Sequence, residues 1–348
     1  MNSNSFADWQ PPIDQRVITS LDMHTAGEPL RIVTAGFPML DGETILEKRQ
    51  FCLTHYDHLR TALMFEPRGH ADMYGALITE PERPQSDFGV LFLHNEGFST
   101  MCGHAIIALS KAAVEANVID VDEGINLLKI DTPAGLIESQ VLVEQGRVMR
   151  TSFRNVPSFL ALADQWLDVE GVGRVQFDLA YGGAFYAFVD ADTIGLSLGA
   201  DNSNQIIMFG QQIKQAVMKS TPVSHPFADE LSFLYGVIFT SEQQTLQVDS
   251  HSRHVCIFAN GELDRSPTGT GVSARAALCY AKGQLHLGDE INIESILGSQ
   301  FSVSVHSHCQ FGPYQAIVPE VSGTAFVTGK NEFYFDLTDP LSHGFIFR

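Results

Sequence analysis

Two short stretches hold the residues whose types and spacing offer chemistry: Met101-Cys102-Gly103-His104-Ala105 and Ser266-Pro267-Thr268-Gly269-Thr270-Gly271. Each follows a strand-like run and opens an Ala-rich helical run, so each delivers one side chain, Cys102 or Thr268, to a helix N-terminus. First-turn N–H groups lack intrahelical acceptors, and the aligned peptide dipoles add partial positive charge there. That placement lowers a thiol's pKa, so Cys102 is expected to be a thiolate near neutral pH, usable as base or nucleophile. The glycine after each key residue lets backbone approach a ligand, and the amides of Gly103, His104, Gly269 and Thr270 form two opposed anion sites between which one carboxylate fits. Asp264, just upstream of Thr268, either accepts a hydrogen bond from a ligand amine or is a turn residue of "GELDRSP"; His104 either touches the ligand or is a cap-region donor. Arg265 reads as the partner of a surface or loop acid.

The elements that must position these loops are many strands and few helices. Strand-like runs rich in Val, Ile, Phe and Tyr recur along the chain, among them "PLRIVTAGF", "FGVLFLHNEG", "YGGAFYAFVD", "LYGVIFT" and "RHVCIFANGELDRS". Helical runs are expected over 43–62, 103–117, 205–219 and 270–282. This is an α+β pattern without the βαβα rhythm of a doubly wound sheet. Because the two loops share an order of strand, loop, key residue, glycine and Ala-rich helix, the chain reads as an internal duplication. Two similar domains then face each other across a cleft where a small ligand binds.

The 348 residues suit two domains of roughly 150 residues each. The expected boundaries are 14–158, completed by 325–348, for the domain with Cys102, and 159–324 for the domain with Thr268. A 44% hydrophobic and 18% charged composition is that of a globular protein. The start has no basic segment leading into an apolar run, and no stretch is long and apolar enough to span a bilayer, so a soluble cytoplasmic protein is expected. A net charge of −20, from 41 acidic against 21 basic residues, repels phosphate backbones and anionic lipids, which argues against nucleic-acid and membrane partners. Five cysteines without a CxxC pair imply free thiols and neither a disulfide framework nor a zinc knuckle. Cys52, Cys256, Cys279 and Cys309 lie in apolar runs and read as buried and inert. Association as a homodimer is a guess that no residue supports.

At these residues the sequence resembles the proline racemase family. The resemblance rests on "DMHTAGEPLRIV" (22–33), "EPRGHADMYGA" (66–76), "MCGHAIIAL" (101–109), "YGGAFYAFVD" (181–190), "DRSPTGTG" (264–271) and "SGTAFVTG" near the end, together spanning nearly the whole chain. It implies a diaminopimelate-epimerase-like fold: two pseudo-symmetric α/β domains, each wrapping a central helix, with catalysis in the interdomain cleft and no metal or organic cofactor. The family's racemases and hydroxyproline 2-epimerases carry cysteine in both loops. Threonine at 268 is the mark of its trans-3-hydroxy-L-proline dehydratases, so the expected activity is a hydro-lyase reaction on that small molecule, giving Δ1-pyrroline-2-carboxylate. The residues of "DMHTAGEP" alone imply no mechanism for that segment.

Racemisation takes a proton from one face of the α-carbon and delivers another to the opposite face, which a threonine hydroxyl does poorly. In trans-3-hydroxy-L-proline the hydroxyl and the α-hydrogen share a ring face. One group, Cys102, then suffices as base for a syn elimination and is available as the acid for the departing hydroxyl. The four loop amides would stabilise charge on the carboxylate, Asp264 would hold the ring nitrogen, and Thr268 would fill the far wall or donate a hydrogen bond. The alternatives are epimerase or racemase activity with Thr268 or water as second acid, and a non-catalytic sensor of proline-like ligands. Gly269 to Ala274 fits GxGxxA with Asp289 downstream, but Pro267 and the missing βαβ unit argue against a nucleotide site. His24, His70 and His94 are too scattered to be metal ligands.

Overall fold

In the computed structural model, which describes residues 9–13 and 15–347, eighteen strands join into one hydrogen-bonded sheet. Following the pairings gives two series of eight. The first runs Ala325–Phe335, Arg16–Thr25, Glu28–Ala35, Tyr74–Thr79, Phe88–His94, Gly124–Thr132, Gly135–Glu144, Arg147–Arg154. The second runs Phe159–Val169, Gly173–Tyr181, Phe185–Asp190, Leu234–Ser241, Ser250–Phe258, Glu290–Glu294, Gln300–Phe311, Tyr314–Gly323. They meet where Arg147–Arg154 pairs with Tyr314–Gly323. In both series the third and fourth strands are parallel, as are the fifth and sixth, and the rest are antiparallel.

Parallel neighbours need a crossover, and the four long helices supply it. Helix α1 (Ile45–Met64) and helix α3 (Ser203–Ser220) bridge the first parallel pair of each series. Helix α2 (Gly103–Glu115) and helix α4 (Gly269–Ala281) bridge the second, each preceded by a short hairpin strand, Gly97–Ser99 or Glu262–Leu263. Each helix end lies within a turn of its expected place. The strand Phe159–Val169 was not expected: "FLALADQWLDV" is rich in helix formers, and its pairing with Gly173–Tyr181 overrides that preference.

Local sequence explains which helices lie inside. Helix α3 buries Ile206, Gly210, Ile213 and Val217, a single stripe at helical spacing, so its other side faces solvent. Helix α1 starts with a capping box, Thr44 Oγ1 accepting from Glu47 N and Glu47 Oε2 accepting from Thr44 N. Helices α2 and α4 are apolar or small nearly all round and are buried along most of their length, as an interior helix must be. They share one core cluster with Phe92, Phe153, Tyr186, Ile238 and Phe301. Separate clusters form under α1, around Ile18 and Leu63, and under α3, around Phe177 and Phe239. Among the described residues no helix is long and apolar enough to cross a membrane.

Candidate active site

The N-termini of α2 and α4 meet in the interior. A Cβ placed on Gly269 would lie 2.9 Å from Gly103 Cα, and one on Gly103 would lie 3.0 Å from Gly269 Cα, so only glycine allows this approach. Gly182 does the same for the flank of α4, since a Cβ there would sit 2.3 Å from the Thr270 carbonyl oxygen. Asn155 ties that contact, its Nδ2 donating to the Gly182 carbonyl (2.7 Å) and to Ser273 Oγ (2.9 Å). The first-turn amides of both helices therefore point into one place, at the wall of a cavity of about 770 Å³ lined by Cys102, Thr268, Asp264, Glu28 and Tyr74. All seven residues expected in the site, Cys102, Gly103, His104, Asp264, Thr268, Gly269 and Thr270, line this cavity.

Thr268 is the N-cap of α4 with φ +69°, a left-handed conformation that is costly for a β-branched residue. Its neighbours hold it there. Thr268 N donates to Ser266 Oγ (3.1 Å), Ser266 N donates to Asp264 Oδ1 (2.8 Å), and the Thr268 hydroxyl donates to Asp264 Oδ2 (2.7 Å). The hydroxyl's one proton is thus committed to Asp264. Thr270 Oγ1 lies 2.6 Å from the Tyr186 hydroxyl. Arg265 pairs through Nη1 with Asp72 (2.6 Å), so a loop acid from the first series does receive it.

Glu28 escaped the sequence reading. It ends the "HTAGE" turn, is buried, and accepts the Arg265 amide at 2.7 Å. Burial, and then the Asp264 carboxyl beside it, push its pKa well above the usual carboxylate range, against the pull of Arg265. From the same turn Thr25 Oγ1 donates to the His104 carbonyl (2.8 Å), and Asp22 pairs with Arg31 (2.9 Å). The "DMHTAGEP" segment thus braces the start of α2 and brings an acid to the cavity. Only an acid inside a strand-like run, "GEPLRIV", hinted at this.

Cys102 is the N-cap of α2, and its Sγ lies 3.1 Å from His104 Nδ1. The expected lowered pKa is not what its surroundings produce. Burial pushes the thiol up, the Ala105 amide and the Tyr74 hydroxyl pull it down less strongly, and the Asp264 and Glu28 carboxyls push it up again. The helix start is legible in sequence; the burial around it is not. His104 is neutral, its pKa brought down to about 4 by burial, and its ring engages Cys102 and the Pro29 carbonyl. Tyr74, the second residue the sequence reading missed, is buried with its hydroxyl on Ser99 Oγ and on the Cys102 sulfur, its ring edge-on to His104 at 4.9 Å.

The remaining cysteines are free. Cys52, Cys256 and Cys279 are buried as expected, but Cys309 is only half-buried, because it lies on the solvent-facing end of Gln300–Phe311. Among the described residues no group of His, Cys, Asp or Glu is arranged to hold a metal ion. Asp289 accepts the His286 amide in a turn remote from Gly269 in sequence, a capping role.

The sequence profile of proline racemases matches residues 20–346, and the chain belongs to the proline racemase family. It is 52% identical over 346 residues to trans-3-hydroxy-L-proline dehydratase of Colwellia psychrerythraea, covering 99% of this chain and 97% of that one. It is 43% identical to trans-L-3-hydroxyproline dehydratase of Xenopus tropicalis, covering 97% of each. In structure it is similar to a hydroxyproline epimerase from Agrobacterium vitis solved with bound trans-4-hydroxy-L-proline, with a TM-score of 0.86 at 29% identity over 95% of this chain and 96% of that one.

Proposed function

We propose that this protein is a hydro-lyase that converts trans-3-hydroxy-L-proline to Δ1-pyrroline-2-carboxylate without a cofactor. The observation that carries the reading is the unequal pair at the touching helix N-termini: a thiol at Cys102, and at Thr268 a hydroxyl whose proton is already given to Asp264. One face of the ligand meets a group that exchanges protons, and the other does not. Relatives that share nearly the full length carry the dehydratase name, in support.

The finer architecture we infer is diaminopimelate-epimerase-like: domains 14–158 with 325–348, and 159–324, each around its central helix, α2 or α4, with the substrate in the cleft between them. The matching order of parallel and antiparallel pairs in the two series supports this.

The substrate carboxylate sits on the amides of Gly103, His104, Gly269 and Thr270, and its ring ammonium faces Asp264 and Glu28. That ammonium brings positive charge into a cavity where burial and two carboxyls hold the thiol's pKa up, so binding itself favours the thiolate. Cys102 then removes the α-proton, the amides stabilise charge spreading onto the carboxylate, and the 3-hydroxyl leaves from the same face. The enamine tautomerises to the Δ1-pyrroline. The likeness to an epimerase favours inversion as the second reading, but Thr268 offers it no free proton.

Borohydride trapping of the product as proline, from wild type and Cys102→Ser, tests the proposal. Loss of a catalytic base costs about 10²–10⁴-fold. Near-normal turnover by Cys102→Ser would end this reading.

A further inference from the structure

Loss of hydroxide from carbon needs an acid, and the cavity holds a second proton donor beside the thiol that has just taken the α-proton. Tyr74 comes from the same strand series as Cys102 and lines the same cavity. Its hydroxyl contacts Ser99 Oγ, which also faces the cavity, and hydrogen-bonds the Cys102 sulfur. Its ring is wedged between His104 (4.9 Å) and His94 (5.8 Å). The His104 imidazole is buried and that of His94 half-buried; burial lowers both pKa values to about 4, so both are poor proton donors. Of the other tyrosines at the cavity, Tyr186 is tied to Thr270 on the opposite helix and Tyr235 stacks on Phe258 at 5.4 Å. Burial keeps the Tyr74 phenol protonated.

We propose that Tyr74 is the general acid that protonates the departing 3-hydroxyl, while Cys102 acts only as the base. The inference rests on the dehydratase reading and deepens it. The steps balance within the site. Cys102 thiolate takes the α-hydrogen and becomes a thiol. The C–H electron pair becomes the C2=C3 bond and the C3–O bond breaks. The oxygen takes the Tyr74 proton and leaves as water. The Tyr74 phenolate then recovers a proton from the Cys102 thiol across their hydrogen bond, which restores both groups. Because the hydroxyl shares a ring face with the α-hydrogen, it lies on the side where Tyr74 and Ser99 are.

The test compares wild type with Tyr74→Phe in D₂O on two substrates: trans-3-hydroxy-L-proline, and trans-3-chloro-L-proline, whose chloride leaves without a proton. Tyr74→Phe is expected to lose water elimination by about 10²-fold or more. Unreacted hydroxy substrate should gain α-deuterium with retention, and chloride elimination, which loses only the pull of the Tyr74 hydroxyl on the thiol, should fall at least about tenfold less than water elimination, which also shows that the variant is folded and its thiol competent. Equal losses on both substrates would overturn the proposal by making Tyr74 a positioning residue for Cys102, and so would undiminished water elimination. A wild-type enzyme inert toward the hydroxy compound would instead bring down the dehydratase reading.

Discussion

The difference of one residue type, thiol against hydroxyl, has a measurable signature. In Thr268→Cys the second face gains a group that exchanges protons near neutral pH, and α-proton exchange with inversion should appear; proline recovered from D₂O with its configuration wholly retained would contradict the two-face argument. Because burial raises the Cys102 pKa, kcat/KM should keep climbing with pH between about 6 and 9. A plateau already below pH 7 would restore the lowered thiolate that the helix start alone suggests. Glu262 gives a stability test. Burial, then Glu96, lift its carboxyl from 4.5 to about 7, so the folded state holds a proton that the unfolded state has lost between those values. Its contribution is fully present below about pH 4.5 and is lost as pH rises through about 7. Glu262→Gln should therefore leave stability near pH 4.5 little changed and raise it at pH 8, by on the order of 3 kcal/mol at most. Equal effects at both pH values would refute that cause. At this scale the sequence displayed Cys102, Thr268 and Asp264, because a loop before a helix start is a local pattern. It hid Tyr74 and Glu28, which reach the cavity from segments remote in the chain, and it hid the burial that raises the Cys102 and Glu28 pKa values.

At the scale of elements, the touching starts of α2 and α4 form the device proposed to hold the substrate carboxylate. Gly269→Ala puts a methyl 2.9 Å from Gly103 Cα, where backbone must move. Stability should fall by about 1–3 kcal/mol, and kcat/KM by tenfold to a hundredfold as the amides splay. An unchanged KM and melting temperature would mean that the helices do not abut as described. The strand Ala325–Phe335 closes the first series on Arg16–Thr25, and its Phe335 packs in the cluster with Ile18. A chain cut after residue 324 should lose cooperative unfolding, whereas a merely peripheral strand would leave a sharp transition. The helices were readable because their composition and caps are local. Phe159–Val169 was not, because its strand state comes from a partner strand and not from its own Ala, Leu and Gln.

At the scale of the molecule, two strand series of the same pairing order place one helix start each against the other, one capped by the thiol of Cys102 and the other by the hydroxyl of Thr268. The matching order of pairs in the two series had a local sign in the sequence, the repeated loop-and-helix pattern. The pairing of Arg147–Arg154 with Tyr314–Gly323, which joins the series, was not, since it links residues far apart in the chain. The most direct measurement incubates the purified protein with trans-3-hydroxy-L-proline, trans-4-hydroxy-L-proline and L-proline in D₂O and follows the ring signals by NMR. The 3-hydroxy compound alone should be consumed, to a pyrroline carboxylate, while the other two keep their configuration. Inversion and deuteration of proline or the 4-hydroxy isomer without loss of water would contradict it, because Thr268 would then be serving the second face after all.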